Sequence, residues 1–168
     1  MSLMNFDQEI LLQGSQFLQT CRLKKLKLVT AESCTGGLIA SLITAVVGSS
    51  DVFDRGFVTY SNDAKVDCLG VPISLINQFG AVSAQVAKVM AEGALTNSSA
   101  HLSLSVTGIA GPGGGTEQKP VGLVFIGSTL IRSDTIVEKN IFSGDRDAVR
   151  NKTVAQAITI LDRQARTY

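Results

Sequence analysis

The sequence predicts a layered α/β fold with a mixed sheet, and three observations carry that expectation. Apolar residues alternate between the period of a strand and that of a helix along most of the chain. An apolar strand pattern runs straight into the glycine turn Gly36-Gly37 and a helical pattern behind it, as in a strand–turn–helix unit. Two strand patterns then follow one another near the end with only a short turn between them, which forces antiparallel neighbours into the sheet.

Ile10, Leu11, Leu12, Phe17 and Leu18 recur at near-helical spacing, so Asp7 to Cys21 reads as a covering helix. Leu26-Lys27-Leu28-Val29-Thr30 alternates as a strand, and Leu38-Ile39, Leu42-Ile43 and Val46-Val47 mark the helix after the turn. Val52 to Tyr60 is rich in β-branched and aromatic residues and reads as a second strand. Ser61-Asn62-Asp63 caps a short helix, Ala64 to Leu69, that Gly70 and Pro72 stop. Ser83 caps a longer helix through Val86, Val89, Met90 and Leu95. His101 to Thr107 alternates strictly and is the clearest strand. Val121 to Leu130 and Asp134 to Phe142 read as a hairpin, and a last helix starts near Gly144-Asp145 and buries Val154, Ala157, Ile158, Leu161 and Ala165.

Composition narrows the function. The chain has 168 residues, 45% of them hydrophobic and 17% charged, enough to bury a sizeable core in one domain. A formal net charge of +1 without a basic block, and 5% aromatics with no Trp, argue against a nucleic-acid binder. Cys21, Cys34 and Cys68 are scattered and odd in number, as reduced thiols are, and His101 is the single histidine. No metal site and no Ser-His-Asp triad is therefore expected. The opening Met1 to Phe6 lacks an apolar leader core, and Gly37 to Gly48 is too short to span a membrane. A cytoplasmic location with no membrane partner is the expectation.

Three polar clusters fall at strand ends: Ser33 to Gly37, Tyr60 to Lys65, and Thr107 to Gly115. Carboxyl ends of strands on one sheet edge converge on a cleft, so the clusters can form one site. Read alone, the first favours a helix cap at Ser33 or Thr35, Lys65 a solvated helix lysine, and Tyr60 a strand-end aromatic. The alternative is that Ser33 is a nucleophile exposed on a strand-to-helix turn, its base then a lysine or a tyrosine unless His101 reaches it. The Gly36-Gly37 helix start would suit an anion. Gly111 to Gly115 matches neither a P-loop nor a dinucleotide fingerprint, which disfavours nucleotide triphosphatases and dehydrogenases. Its bare backbone would suit close approach to a substrate.

Four ordered blocks resemble a known family: Ala31-Glu32-Ser33-Cys34-Thr35-Gly36-Gly37; Tyr60 to Lys65; Val106 to Thr116 with Lys119-Pro120-Val121-Gly122; and Phe142-Ser143-Gly144-Asp145-Arg146 with Val149-Arg150. Together they make the chain similar to the CinA C-terminal domain family of nicotinamide mononucleotide amidohydrolases. The resemblance implies a single three-layer α/β/α domain over residues 1–168 with a mixed, mostly parallel sheet. It implies hydrolysis of a pyridine mononucleotide carboxamide to nicotinate mononucleotide and ammonia, without a cofactor, and a homo-oligomer. The resemblance does not extend to the separate N-terminal domain of longer members, so no activity of that domain is expected here.

Carried over position by position, the resemblance makes Ser33 the nucleophile, Lys65 the candidate general base and Tyr60 a supporting catalytic residue. Thr107, Gly108 and Gly111 fall at the substrate-binding strand end and loop, and Arg146 and Arg150 in the closing Gly-Asp-Arg segment. Amides near Cys34, Gly36 and Gly37 would hold the oxyanion. A lysine base must be lowered from about 10.4 towards ~7–8 to work near neutrality. The substrate phosphate would sit at the Gly36-Gly37 helix start or at the segment ending in Arg146. Two rivals stand beside this reading: Cys34 as a thiol nucleophile, and a non-catalytic nucleotide-binding paralogue associated with competence or DNA damage.

Overall fold

Within residues 6–168, which the computed structural model describes, the strands are β1 (Leu28–Glu32), β2 (Phe53–Val58), β3 (Leu102–Gly108), β4 (Leu123–Leu130) and β5 (Ile136–Ile141). They form one sheet in the order β2-β1-β3-β4-β5. β1 pairs in parallel with β2 and β3, while β4 runs antiparallel to β3 and β5, so β4 alone points the other way. The expected mixed, mostly parallel sheet is the one observed, and the late hairpin supplies its antiparallel part. Residues 1–5, most of the segment read for a leader, lie outside the described residues.

Helices cover both faces. α1 (Gln8–Lys24), α2 (Leu38–Ala45) and α6 (Arg146–Thr167) pack on one side over Leu28, Leu102, Leu104, Val106, Val124 and Ile126. α3 (Asn62–Leu69), α4 (Ile73–Phe79) and α5 (Ala84–Thr96) pack on the other, against Val29 and Ala31. The period-2 alternation of β3 explains its division between these layers: its leucines and Val106 face α6, and Ser103 and Ser105 face α5. The two serine hydroxyls donate to the carbonyls of Ala91 and Ala87 at 2.7 and 2.6 Å. Each such bond contributes about 1 kcal/mol, and an unpaired hydroxyl there would cost more than that. α5 comes this close because it presents alanines and meets Gly127, where a Cβ would lie 2.7 Å from the Ala87 carbonyl.

The structure corrects several boundaries. β1 begins at Leu28 rather than Leu26, and all five of its residues are buried because helices cover both its faces. α2 stops at Ala45, since Val46 is extended, and Val47 is 92% exposed instead of continuing the apolar stripe. α4 and a short 3₁₀ turn at Ser49–Asp51 carry no sequence signal. α4 has seven residues and buries only Ile76, too little for a periodicity to register. No helix among the described residues is long and apolar enough to cross a membrane.

Candidate active site

The chain leaves β1 for α2 on one face of the sheet and leaves β2 for α3 on the other. A crevice opens where neighbouring strand ends send their connections to opposite sides. The Ser33 turn and the Thr59–Lys65 segment border that crevice. The backbone binds them to the sheet edge: Ser33 donates to the Val106 carbonyl at 3.0 Å, and Thr59 to the Glu32 carbonyl at 2.9 Å.

The Ser33–Gly37 turn divides its amides between bonded and open groups. Gly36 and Gly37 adopt φ of +61° and +95°, a left-handed backbone that other residues resist, and this reverses the chain into α2. Gly37 is the cap residue of α2 and brings no side chain to satisfy the helix amides. Glu32, 1% exposed, does so from the end of β1. Its Oε2 accepts from the amides of Gly37 and Ile39 at 3.1 and 3.0 Å, and its Oε1 from Ala40 at 2.9 Å. The Gly36 amide donates to Ser33 and that of Leu38 to Thr35. Among the described residues, the amides of Cys34 and Thr35 donate to no other residue. The α2 start therefore does not offer the anion site expected of Gly36 and Gly37, because an internal carboxylate already fills it.

Lys65 lies on α3 and curls back towards Ser33. Its Nζ is 3.1 Å from Ser33 Oγ, 2.8 Å from the Thr59 carbonyl and 3.4 Å from the Ser61 carbonyl. The residue is 1% exposed, and burial lowers its pKa from the ordinary 10.5. Ser61 Oγ caps α3 through the Ala64 amide, which holds the first turn of the helix and with it the lysine stem. An isolated solvated lysine, the plainer reading of Lys65, is not what the fold produces.

Tyr60 sits between the two carbonyls that hold Lys65, yet its own side chain is 61% exposed. Its hydroxyl accepts from Arg146 Nη2 at 3.0 Å, while Arg146 Nη1 donates to the Gly111 carbonyl at 2.8 Å. Arg146 thus joins α6, the end of β2 and the glycine loop across the crevice. The Tyr60 hydroxyl makes no hydrogen bond with Ser33 or Lys65 among the described residues, and the Thr59 and Ser61 carbonyls hold the lysine amine instead. Arg150, one helical turn after Arg146, donates to the Thr35 carbonyl at 3.1 Å. Its buried Nε has no partner. Both guanidiniums thus contact residues that flank Ser33 and Lys65 in sequence, Thr35 and Tyr60.

Thr107 is buried, and its hydroxyl donates to the Ala81 carbonyl at 2.8 Å, so that side chain is spent on holding the start of α5 to β3. Gly108 is required by strand packing: a Cβ would lie 2.7 Å from Val124 Cγ2 and 2.8 Å from the Leu123 carbonyl. Gly111 has φ of +85° and presents its carbonyl to Arg146.

Two rival groups stand apart. Cys34 is buried in the apolar core, and burial pushes its thiol up to about 11, the wrong direction for a nucleophile. His101 accepts from the Lys27 amide at the opposite end of β3, about 23 Å from Gly108 at ~3.3 Å per residue. It does not reach Ser33. A cavity of about 680 Å³ between α1 and α6 touches the site only through Leu38 and Arg150 and excludes Ser33. Glu32 and the Thr59 and Ser61 carbonyls are the participants that residue types alone did not single out. The signal available for Glu32 was an acidic residue just before a glycine turn that lacks its own cap.

Comparisons with known proteins find relatives over most of the chain. The family model described as CinA C-terminal domain matches residues 13–165. Nicotinamide-nucleotide amidohydrolase PncC of Escherichia coli K12 is 46% identical over 158 residues, covering 94% of this chain and 96% of that protein. A protein of Caldicellulosiruptor bescii named for competence-damage induction is 53% identical over 146 residues, 86% of this chain. This chain spans about a third of that longer relative, 35% of its length. The crystal structure of the competence/damage inducible protein CihA from Agrobacterium tumefaciens superposes with a TM-score of 0.93 at 44% identity, covering 98% of this chain and 99% of the other.

Proposed function

The chain belongs to the CinA C-terminal domain family, and from that premise we propose that it is a hydrolase converting nicotinamide mononucleotide to nicotinate mononucleotide and ammonia through a Ser33–Lys65 pair. The observation that carries the proposal is the 3.1 Å approach of a buried lysine amine to a serine hydroxyl at the crevice. Similarity to the Escherichia coli amidohydrolase over nearly its full length supplies the substrate.

The hydrogen bonds around Nζ support the role. In the neutral amine, two N–H bonds go to the Thr59 and Ser61 carbonyls and the lone pair faces the Ser33 hydroxyl. Ser33 Oγ attacks the carboxamide carbon as its proton passes to Nζ, and the resulting ammonium has three acceptors for its three donors. The oxyanion takes the Cys34 and Thr35 amides, which donate to no other residue. The C–N bond then breaks, and the leaving nitrogen takes the proton from Lys65 and departs as ammonia. Water attacks the acyl ester, its proton goes to Lys65, and Ser33 Oγ leaves with that proton as nicotinate mononucleotide is released.

With the α2 start filled by Glu32, the phosphate belongs to Arg146 and Arg150, whose forked donors suit it, one of them with a buried donor still unpaired. Arg146 then exchanges its contacts with Tyr60 and Gly111 for the ligand, and Tyr60 supports catalysis by holding Arg146 over the crevice until substrate arrives. The test is coupled detection of ammonia and nicotinate mononucleotide from the purified protein. Stoichiometric formation of both supports the proposal, and saturable binding without either product would make the chain a nucleotide-binding module.

A further inference from the structure

Resting on the reading of Ser33 as the nucleophile, we infer that Glu32 is a positioning residue, a built-in anion that fixes the Ser33–Gly37 turn and keeps the α2 start from drawing in the phosphate of the substrate. A helix start leaves its first amides without intrahelical partners. Here the amides of Gly37, Ile39 and Ala40 converge on one carboxylate, while those of Leu38 and Ser41 donate to the Thr35 and Gly37 carbonyls. No donor of the α2 start remains for an outside anion. The amides that donate to no other residue belong to Cys34 and Thr35, beside the nucleophile.

The placement of the cap matters as much as its chemistry. A local serine or aspartate cap would hold the helix alone. Glu32 sits on β1, so its carboxylate ties the strand end directly to the helix start and fixes both ends of the turn that carries Ser33. Ser33 Oγ must meet Lys65 Nζ on one side and a carbonyl carbon on the other, and the turn has no second side-chain clamp from within itself. A substrate bearing a phosphate would otherwise find a helix dipole and three bare amides within the same turn, and would bind there out of register.

Glutamine is nearly isosteric with Glu32 but offers one carbonyl oxygen, and its NH₂ must face at least one amide donor. Aspartate keeps the charge and falls one methylene short. The experiment uses the full chain as wild type, Glu32→Gln, Glu32→Asp and Glu32→Ala, with ammonia release from nicotinamide mononucleotide normalised to the folded fraction from thermal melts. Glu32→Gln and Glu32→Asp are expected to lower kcat by about 10²-fold, the cost of a misplacement near 1 Å, with KM changed less than threefold. Their pH–rate midpoint, set by Lys65, stays at the wild-type position. In Glu32→Ala the emptied helix start is expected to bind inorganic phosphate, lowering its inhibition constant at least tenfold, a change that mere loss of stability would not produce. Wild-type kcat in both Glu32→Gln and Glu32→Asp, or an unchanged phosphate inhibition constant in Glu32→Ala, overturns the inference while leaving the Ser33 mechanism standing. A wild-type protein that releases no ammonia overturns the reading on which it rests.

Discussion

Replacing Lys65 with methionine removes one amine and almost no volume, so its consequences can be worked out on both rate and stability. The variant loses the bonds from Nζ to Ser33 Oγ and to the Thr59 and Ser61 carbonyls. Without its base, Ser33 is an ordinary hydroxyl, and kcat should fall by ~10²–10⁴-fold, or about 3–5 kcal/mol of transition-state stabilisation. Stability moves differently. Burial lowers the folded-state pKa of Lys65, whereas the unfolded chain keeps the ordinary 10.5. Between those two values the unfolded state binds more protons, so wild-type stability rises with pH through that window. Below it the native state bears the cost of a buried ammonium, about 1.4 kcal/mol for each unit by which the pKa is lowered. Methionine bears none of that cost, but it leaves the Thr59 carbonyl without its donor, at about 1–3 kcal/mol. The stability difference, methionine minus wild type, should therefore be most positive below the folded-state pKa and shrink as pH rises towards 10.5. Thermal melts from pH 6 to 10.5 and pH profiles of ammonia release read both effects. The wild-type rate should rise with pH and level off below 10.5, and Lys65→Arg should remain inactive because guanidinium stays protonated. An active Lys65→Arg protein, or a stability difference that grows with pH, refutes the reasoning.

Other perturbations follow from the same contacts. Cys34→Ala should keep at least a third of wild-type kcat, since only its amide faces the crevice, and thiol-selective alkylation that abolishes turnover would contradict this. Tyr60→Phe removes the acceptor of Arg146 Nη2 and should act on KM for nicotinamide mononucleotide more than on the pH midpoint; a shifted midpoint would make Tyr60 part of the proton path. Gly108→Ala places a methyl against Val124 and the Leu123 carbonyl, and should cost ~1–3 kcal/mol, lowering Tm by about 2–4 °C per kcal/mol. A melt at the wild-type temperature would show that the strands have room to give.

The sheet was legible because its strands have length and clean alternation, above all residues 101–107, and because the hairpin of β4 and β5 lies close in sequence. The caps Ser61, Ser83 and Asp145 were legible too, since a side-chain oxygen three residues before an amide is a local signal. What could not be read locally was work done across the fold. Glu32 caps a helix from a strand, Thr59 and Ser61 act through carbonyls that no residue type marks, and Arg146 meets Tyr60 from the far end of the chain. The helix start at Gly36-Gly37 misled for the same reason: its open amides were visible in sequence, and the carboxylate that fills them was visible only in three dimensions.

The central claim is that a buried amine activates one serine, and site-specific labelling with a fluorophosphonate, mapped by peptide mass spectrometry, tests it most directly. A single adduct on Ser33 is expected, formed in proportion to lost ammonia release and at least a hundredfold more slowly in Lys65→Met. Full turnover by protein completely labelled at Ser33, or equal labelling rates in wild type and Lys65→Met, would contradict it.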